Sequence, residues 1–434
     1  MRSILFALIA LAACVLVHGH PFERAMTSNK WVTIWSAAVQ SETNGGLPPS
    51  PYNNSKYAFL DDTTIRQTFH VTLEASTIRL RISNQFSIFP LDITSMTVAI
   101  PQANSSGITT GQPTIKTNTL EKVTFSGDAS FVVPPSALIV SDPINFTIPV
   151  GSDLSVSLYL ANGQQGTNLT VHGDSQTTSW FTQGGDQTHS QNFTHKSTVS
   201  QRQWLYVEAV EGWLDSGSRS IITLGDSITD GYQTTIDGND RWADDLFKRL
   251  QANSATTNLA VINKGITAGT VLNNRAGYGA VARVETDVIA QPGRAYVILL
   301  EGVNDIGTAD NSSEAQYAIG TALIQGYQQI IQKCHTFNIP VIGASLTPFI
   351  NPKGPPDPIR EKTRLRLNDF ILNSGMFDAT VDFAAAIVNK THPDQQQGRY
   401  ASDYLHPNQL GYQKLADSID LGIFARLEGG VSGY

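Results

Sequence analysis

The apolar residues of this chain change their period near residue 211, and that change constrains the fold more than any other feature. Before it, Ile78, Leu80 and Ile82 alternate with Thr77, Arg79, Arg81 and Ser83. Leu154, Val156, Leu158 and Leu160 alternate likewise, and Ile65, Gln67, Phe69 and Val71 do so more loosely. A period of two gives a strand one buried and one wet face. Ser105-Ser106-Gly107, Pro134-Pro135 and Asn162-Gly163 separate such runs as turns. Many short strands divided by turns predict an all-β sandwich or jelly-roll-like domain over 27–211.

Beyond a connector at 212–219 the pattern becomes strand, helix, strand. Ile221 to Leu224, Leu259 to Ile262, Ala295 to Leu300, Pro340 to Ala344 and Thr380 to Phe383 read as buried strands. Arg241 to Leu250, Val281 to Ile289, Ser313 to His335 and Pro358 to Leu372 read as the helices between them. In the third helix Ala315, Ala318, Ile319, Ala322, Leu323, Ile330 and Ile331 form one apolar stripe. Such alternation predicts a parallel sheet with helices on both faces over 220–434. Ligands of such sheets bind at the carboxyl ends of the strands.

A chain of 434 residues is long for a single core, which also favours two domains. The net charge of −8, with no basic run, argues against nucleic acid as a partner. Met1-Arg2, the apolar run Ile4 to Val17 and the small residues up to Gly19 read as a secretory signal peptide over 1–19. No other stretch is long and apolar enough to span a bilayer. Cys14 lies in that peptide, which leaves Cys334 with no intramolecular partner. Asn53, Asn104, Asn145, Asn168, Asn192, Asn311 and Asn389 each open an Asn-x-Ser/Thr triplet. Together with the leader they predict a secreted, extracellular glycoprotein.

Four polar segments carry the chemistry. Gly225-Asp226-Ser227, Asn263-Lys264-Gly265-Ile266-Thr267-Ala268-Gly269 and Gly302-Val303-Asn304-Asp305 each follow a predicted strand, and Asp403-Tyr404-Leu405-His406-Pro407 stands near the end. A serine hydroxyl becomes nucleophilic when an imidazole takes its proton, and the imidazole needs a carboxylate to orient it and offset its charge. Asp403 and His406, three apart on a turn, can meet locally. The oxyanion formed by attack on a carbonyl requires pre-aimed donors. The amides of Ser227 and Gly265 and the side-chain amide of Asn304 are the candidates.

In this order the blocks G-D-S-I-T-D-G, N-K-G-I-T-A-G, G-V-N-D and D-Y-L-H-P resemble the SGNH/GDSL hydrolase superfamily, over about Ile221 to Leu427. L-L-E-G-V-N-D-I-G and L-H-P-N-Q-L-G-Y resemble a secreted branch of it. W-V-T-I-W-S-A-A, with looser similarity around it, resembles the β-rich domain that precedes the catalytic domain in that branch. The resemblance implies a flavodoxin-like three-layer α/β/α hydrolase domain. It implies Ser227 as nucleophile, Asp403 and His406 as its partners, and Ser227, Gly265 and Asn304 as oxyanion donors. The expected activity is hydrolysis of a small ester or an acylated polysaccharide, with short acyl or acetyl groups favoured and no cofactor or metal. A lipase or a carbohydrate acetylesterase falls within the same class. The rival from another class is a polysaccharide-binding protein on an inactive hydrolase scaffold.

Several residues imitate site residues. His392-Pro393 repeats the His-Pro dipeptide, but position 389 is Asn, so His392 lacks the carboxylate. Gly265-Ile-Thr267-Ala-Gly269 imitates a nucleophile elbow with threonine for serine. Asp226 and Asp305 are expected to fix their turns. His189 and His195 lack further ligands at metal spacing. Cys334 and Trp242 are expected in the core, and Arg275 on the surface. In the β half only Thr170-Val-His172-Gly-Asp174 suggests a segment that reaches the site, with His172 read as a turn histidine.

Overall fold

The computed structural model describes residues 29–41, 47–53, 58–275 and 277–431. The expected leader over 1–19 and Cys14 lie outside the described residues.

The β region closes on itself by pairing its first strand with its last. Asn29–Ser36 runs antiparallel to Val207–Asp215, with Asn29 opposite Asp215. The sheet continues through Ala75–Ser83, which also pairs Ile144–Ile148 and Leu138–Val140. A second antiparallel sheet runs in the order Val199–Gln201, Ser179–Thr182, Phe59–His70, Asp153–Gln164, Ser95–Ala99, Glu121–Lys122. Trp35 of the first sheet meets Phe69 of the second, ring centroids 4.0 Å apart, and packs edge-on against Trp204. Trp204 lies in a three-stranded sheet of Gln203–Leu205, Thr170–Gly173 and Gln40–Ser41.

One expectation fails here. The polar face of the second sheet is dry: Arg66, Thr68, Ser155 and Ser157 are all buried. Loops cover it, and Arg66 donates to the carbonyls of Pro113 (2.6 Å) and Ser190 (2.8 Å) and to Ser157 Oγ (2.8 Å). Buried polar groups are tolerable when so bonded. Alternation shows which residues share a face, and loops decide whether that face meets water.

The α/β region matches its pattern closely. Strands Arg219–Gly225, Leu259–Gly265, Arg294–Leu300, Val341–Ala344 and Ala379–Val381 form one parallel sheet. Its order is second, first, third, fourth, fifth in the chain, so the direction of winding reverses beside the first strand. Helices Trp242–Gln251, Ser313–Thr336 and Pro358–Asn373 connect successive strands. The expected helix over Val281 to Ile289 divides into α-helical Ala280–Val284 and π-helical Glu285–Ile289. The last strand stops at Val381, because Asp382 caps a short helix, Phe383–Ile387, through the Ala385 amide.

The expected connector is mostly strand. Val207–Asp215 runs into it and Arg219 opens the next strand, leaving Ser216–Ser218 as the turn. The two regions share one continuous apolar core. Thr33 N–H donates to Pro292 O (2.9 Å), and Ser220 Oγ donates to Thr33 O (2.9 Å). Lys264, fully buried, donates to Ala37 O and to Glu208, both at 2.8 Å. Six of the seven Asn-x-Ser/Thr asparagines are exposed and Asn389 is half-buried. Among the described residues no helix is long and apolar enough to cross a membrane.

Candidate active site

The first parallel strand ends at Gly225, and Asp226 turns the chain into the single helical turn Ser227–Asp230. Asp226 caps that turn by accepting the Ile228 amide at 3.0 Å. Ser227 therefore stands at a helix N-terminus, only 3% exposed, with its hydroxyl 2.9 Å from His406 Nε2. His406 Nδ1 lies 2.9 Å from Asp403 Oδ2. The other carboxylate oxygen accepts the amides of Leu405 (2.6 Å) and His406 (2.7 Å). Partial burial alone would raise the Asp403 pKa, but its bonds from His406 and Leu405 hold it below the usual carboxylate value. An ionised Asp403 at Nδ1 leaves Nε2 free to accept the serine proton. The Tyr232 ring lies against the imidazole, centroids 4.6 Å apart.

The oxyanion side requires a correction. The Gly265 amide is already committed, donating to Asn263 Oδ1 at 2.8 Å within its own loop. Glycine is needed at 265 for packing: a Cβ there would lie 2.2 Å from the Asp230 amide nitrogen. The following amides are engaged as well. Ile266 N–H donates to Gly225 O, Thr267 N–H to Asp230, and Gly269 N–H to Ile266 O. Ala268 alone in this turn has an amide with no partner among the described residues, and it sits in the left-handed region at φ 61°. That conformation is uncommon for alanine and re-aims its N–H relative to its neighbours. Asn304 Nδ2 donates to Gly269 O at 2.8 Å, with one more N–H to offer. Gly269 in turn lies against Asp226, where an added Cβ would be 3.5 Å from the Asp226 Cα. The candidate donors these adjoining loops leave available are Ser227 N, Ala268 N and Asn304 Nδ2.

Beneath these loops lies a buried charge network. Arg283 donates to Lys264 O (2.7 Å) and Gly225 O (2.9 Å), the carbonyls at the ends of the two strands that deliver the donor loop and the nucleophile. It also bonds Asp287 at 2.8 Å and Glu301 at 3.2 Å. Glu301 faces Asp226 and Asp305. Burial pushes its carboxyl up to about 8, offset by Arg283 and reinforced by those two acids. Asp226 is pushed up to about 7, again chiefly by burial, against its bond from Ile228. Asp305 accepts the amides of Val271 (2.9 Å) and Leu272 (3.2 Å), which tie the loop after Gly269 to the third strand.

The imitators separate as expected. His392 lies in a hairpin strand, His392–Gln396, paired with Val388–Asn389. Asp226 and Asp305 bond backbone amides. Trp242 and Cys334 are buried, and burial pushes the Cys334 thiol up to about 12. Arg275 is exposed. His189 bonds Thr188, and His195 bonds Ser197. The sequence reading missed Ala268, Arg283 and Asp230. Asp230 stands inside the quoted G-D-S-I-T-D-G block and could have been singled out. Ala268 likewise stands inside the quoted N-K-G-I-T-A-G block, whereas nothing local marks Arg283.

A hydroxyl, an imidazole and a carboxylate in series at the carboxyl edge of a parallel sheet have the geometry of a hydrolase site for acyl transfer. Residues 223–414 match the GDSL-like Lipase/Acylhydrolase family. The match covers the α/β region that carries Ser227, Asn304, Asp403 and His406. A search of curated proteins returns no match. Among solved structures the chain is similar to a GDSL-like lipase from Bacteroides thetaiotaomicron, at 18% identity, 49% of this chain, 91% of that one and TM-score 0.35. It is also similar to a catalytic mutant of an acetylxylan esterase from Geobacillus stearothermophilus, at 20% identity, 49% and 95% coverage and TM-score 0.36. A third is a lipolytic protein of the G-D-S-L family from Veillonella parvula, at 21% identity, 48% and 100% coverage and TM-score 0.35.

Proposed function

We propose that the protein is a secreted serine esterase that cleaves esters of short acyl groups through an acyl-enzyme on Ser227. The observation that carries this reading is the unbroken series Ser227 Oγ, His406, Asp403, with both links at 2.9 Å. His406 takes the Ser227 proton as the hydroxyl oxygen bonds the ester carbonyl carbon. The carbonyl oxygen becomes an oxyanion facing the amides of Ser227 and Ala268 and the side chain of Asn304. His406 then protonates the departing alcohol. Water, deprotonated by the same imidazole, releases the acid and restores Ser227.

Ser227 is only 3% exposed, which favours small acyl groups such as acetyl, on a small alcohol or a polysaccharide. The strand order supports flavodoxin-like α/β/α layering over 220–434, and the contact between Trp35 and Phe69 supports a sandwich or jelly-roll for 27–211. Secretion and glycan attachment at the exposed asparagines belong to the same reading.

The test is a panel of p-nitrophenyl esters of increasing chain length, run beside acetylated polysaccharide, with a fluorophosphonate label for the nucleophile. Ser227→Ala should abolish labelling and lower turnover by at least about 10⁴, because the hydroxyl forms the covalent bond. A folded Ser227→Ala protein that keeps more than a few per cent of the rate would overturn the mechanism. A rate that rises with chain length would overturn the preference for short acyl groups.

A further inference from the structure

The β region reaches the nucleophile's helical turn through a histidine. Strand Thr170–Gly173 carries His172, which is buried and stacked on Trp204, ring centroids 5.4 Å apart. Its Nδ1 is 2.7 Å from Ala38 O. A carbonyl only accepts, so Nδ1 carries a hydrogen. Its Nε2 is 3.0 Å from Asp230 Oδ1. With an acceptor at each nitrogen the imidazole is held as the doubly protonated cation. Its pKa is raised by Asp230 even though burial pulls it down.

Asp230 is the last residue of the nucleophile's helical turn, three beyond Ser227. Its second oxygen, Oδ2, accepts the Thr267 amide (2.8 Å) and hydroxyl (2.9 Å). Thr267 immediately precedes Ala268, whose unpartnered amide is the loop's donor. One carboxylate therefore ties the serine's helix to the oxyanion loop, and the imidazolium of the β region holds that carboxylate in place. Arg241 reinforces the join, donating through Nε to Asp230 O (2.8 Å) and through its terminal nitrogen to Ser175 O.

We infer that the His172–Asp230 pair is a positioning device through which the β region sets the Ala268 amide for the oxyanion. The β region is then part of the catalytic unit, not an appended binding module. The inference rests on the acyl-enzyme reading, so it concerns how well the oxyanion is met, not whether Ser227 reacts. With the Thr267 amide loosely held, Ala268 is free to turn its N–H away, and substrate still binds.

The test compares His172→Gln and Thr267→Val with the wild type in the full chain, using p-nitrophenyl acetate and a fluorophosphonate. Loss of one well-aimed oxyanion donor typically lowers turnover by about 10²–10³, so partial misplacement in His172→Gln should lower kcat by about tenfold or more. KM should stay within about twofold, since the loss falls on the transition state. The rate of fluorophosphonate labelling, which also builds negative charge on oxygen, should fall in parallel with kcat. Thr267→Val keeps the amide bond and the domain junction but loses the hydroxyl bond, and a smaller fall of about threefold is expected. His172→Gln, folded by near-ultraviolet circular dichroism, with kcat within about twofold of wild type would overturn the inference. If that variant does not fold, an unchanged kcat in Thr267→Val would overturn it. Wild-type protein that hydrolyses the ester without being labelled at Ser227 would instead overturn the underlying mechanism.

Discussion

The two sides of the active site are built on opposite plans. The acid–base side is local and open: Asp403 and His406 lie three residues apart on one turn, and the Asp403 side chain is 38% exposed. The oxyanion side is long-range and dry. Ser227, Ala268 and Asn304 come from three strand ends, and Arg283, Glu301 and Asp230 beneath them are buried. The comparison teaches where stability and catalysis are separable. A partly solvated pair can be altered without unfolding the protein, whereas a buried cation bonded to two strand-end carbonyls serves the fold and the chemistry together.

Asp403→Asn tests the open side and should lower activity more than Arg283→Met does on the dry side. Asparagine can hold the wrong imidazole tautomer, so kcat should fall by about 10²–10⁴. Stability should change by less than about 1 kcal/mol, because the pair is partly open to solvent. A large drop in Tm with activity preserved would reverse the proposed division.

Arg283→Met tests the dry side, where both quantities should move. Removing one partner from a buried, paired set costs about 3–5 kcal/mol in unfolding free energy. Activity at a temperature where the variant is still folded should fall by about tenfold to 10², as Gly225 O and Lys264 O lose their shared donor. Denaturant unfolding and steady-state kinetics on one preparation measure the two effects. A variant as stable as wild type but inactive would place Arg283 nearer the chemistry than its contacts suggest.

The smallest expected effect is a slope. Burial raises the Glu301 carboxyl from 4.5 to about 8, so between those values the folded state binds a proton that the unfolded chain has released. The stabilisation linked to that proton is complete below the unfolded value and is lost as pH rises through about 8. Glutamine carries no such proton, so Glu301→Gln should lose less Tm than wild type between about pH 5 and pH 8. Parallel melting curves across that range would show that Glu301 is not the group responsible.

Much of the scaffold was legible because its signals are local. Ile221, Ile222 and Leu224, with only Thr223 among them, form an apolar run before Gly225-Asp226-Ser227, and a parallel strand followed by its loop reads that way in any context. The split of the Val281 to Ile289 helix into α and π turns was not legible, since its residues form helix under either pattern. The dry polar face around Arg66 was hidden for a different reason: the carbonyls that satisfy it come from residues 47 and 124 positions away.

By itself the sequence determined the two architectures, the four loops, and the serine, imidazole and carboxylate that the fold joins in series at Ser227, His406 and Asp403. Those properties follow from residue type and short spacing. Tertiary structure decided which amide of the second loop is left free. Gly265 looked like the donor because glycine permits close approach, but Asn263 takes its N–H and the left-handed turn at 268 exposes the next free one. Tertiary structure also decided that the β region reaches the serine's helical turn, through His172 and Asp230. The charge state of His172 depends on acceptors 134 and 58 residues away, and burial and partner count are properties of the folded chain alone.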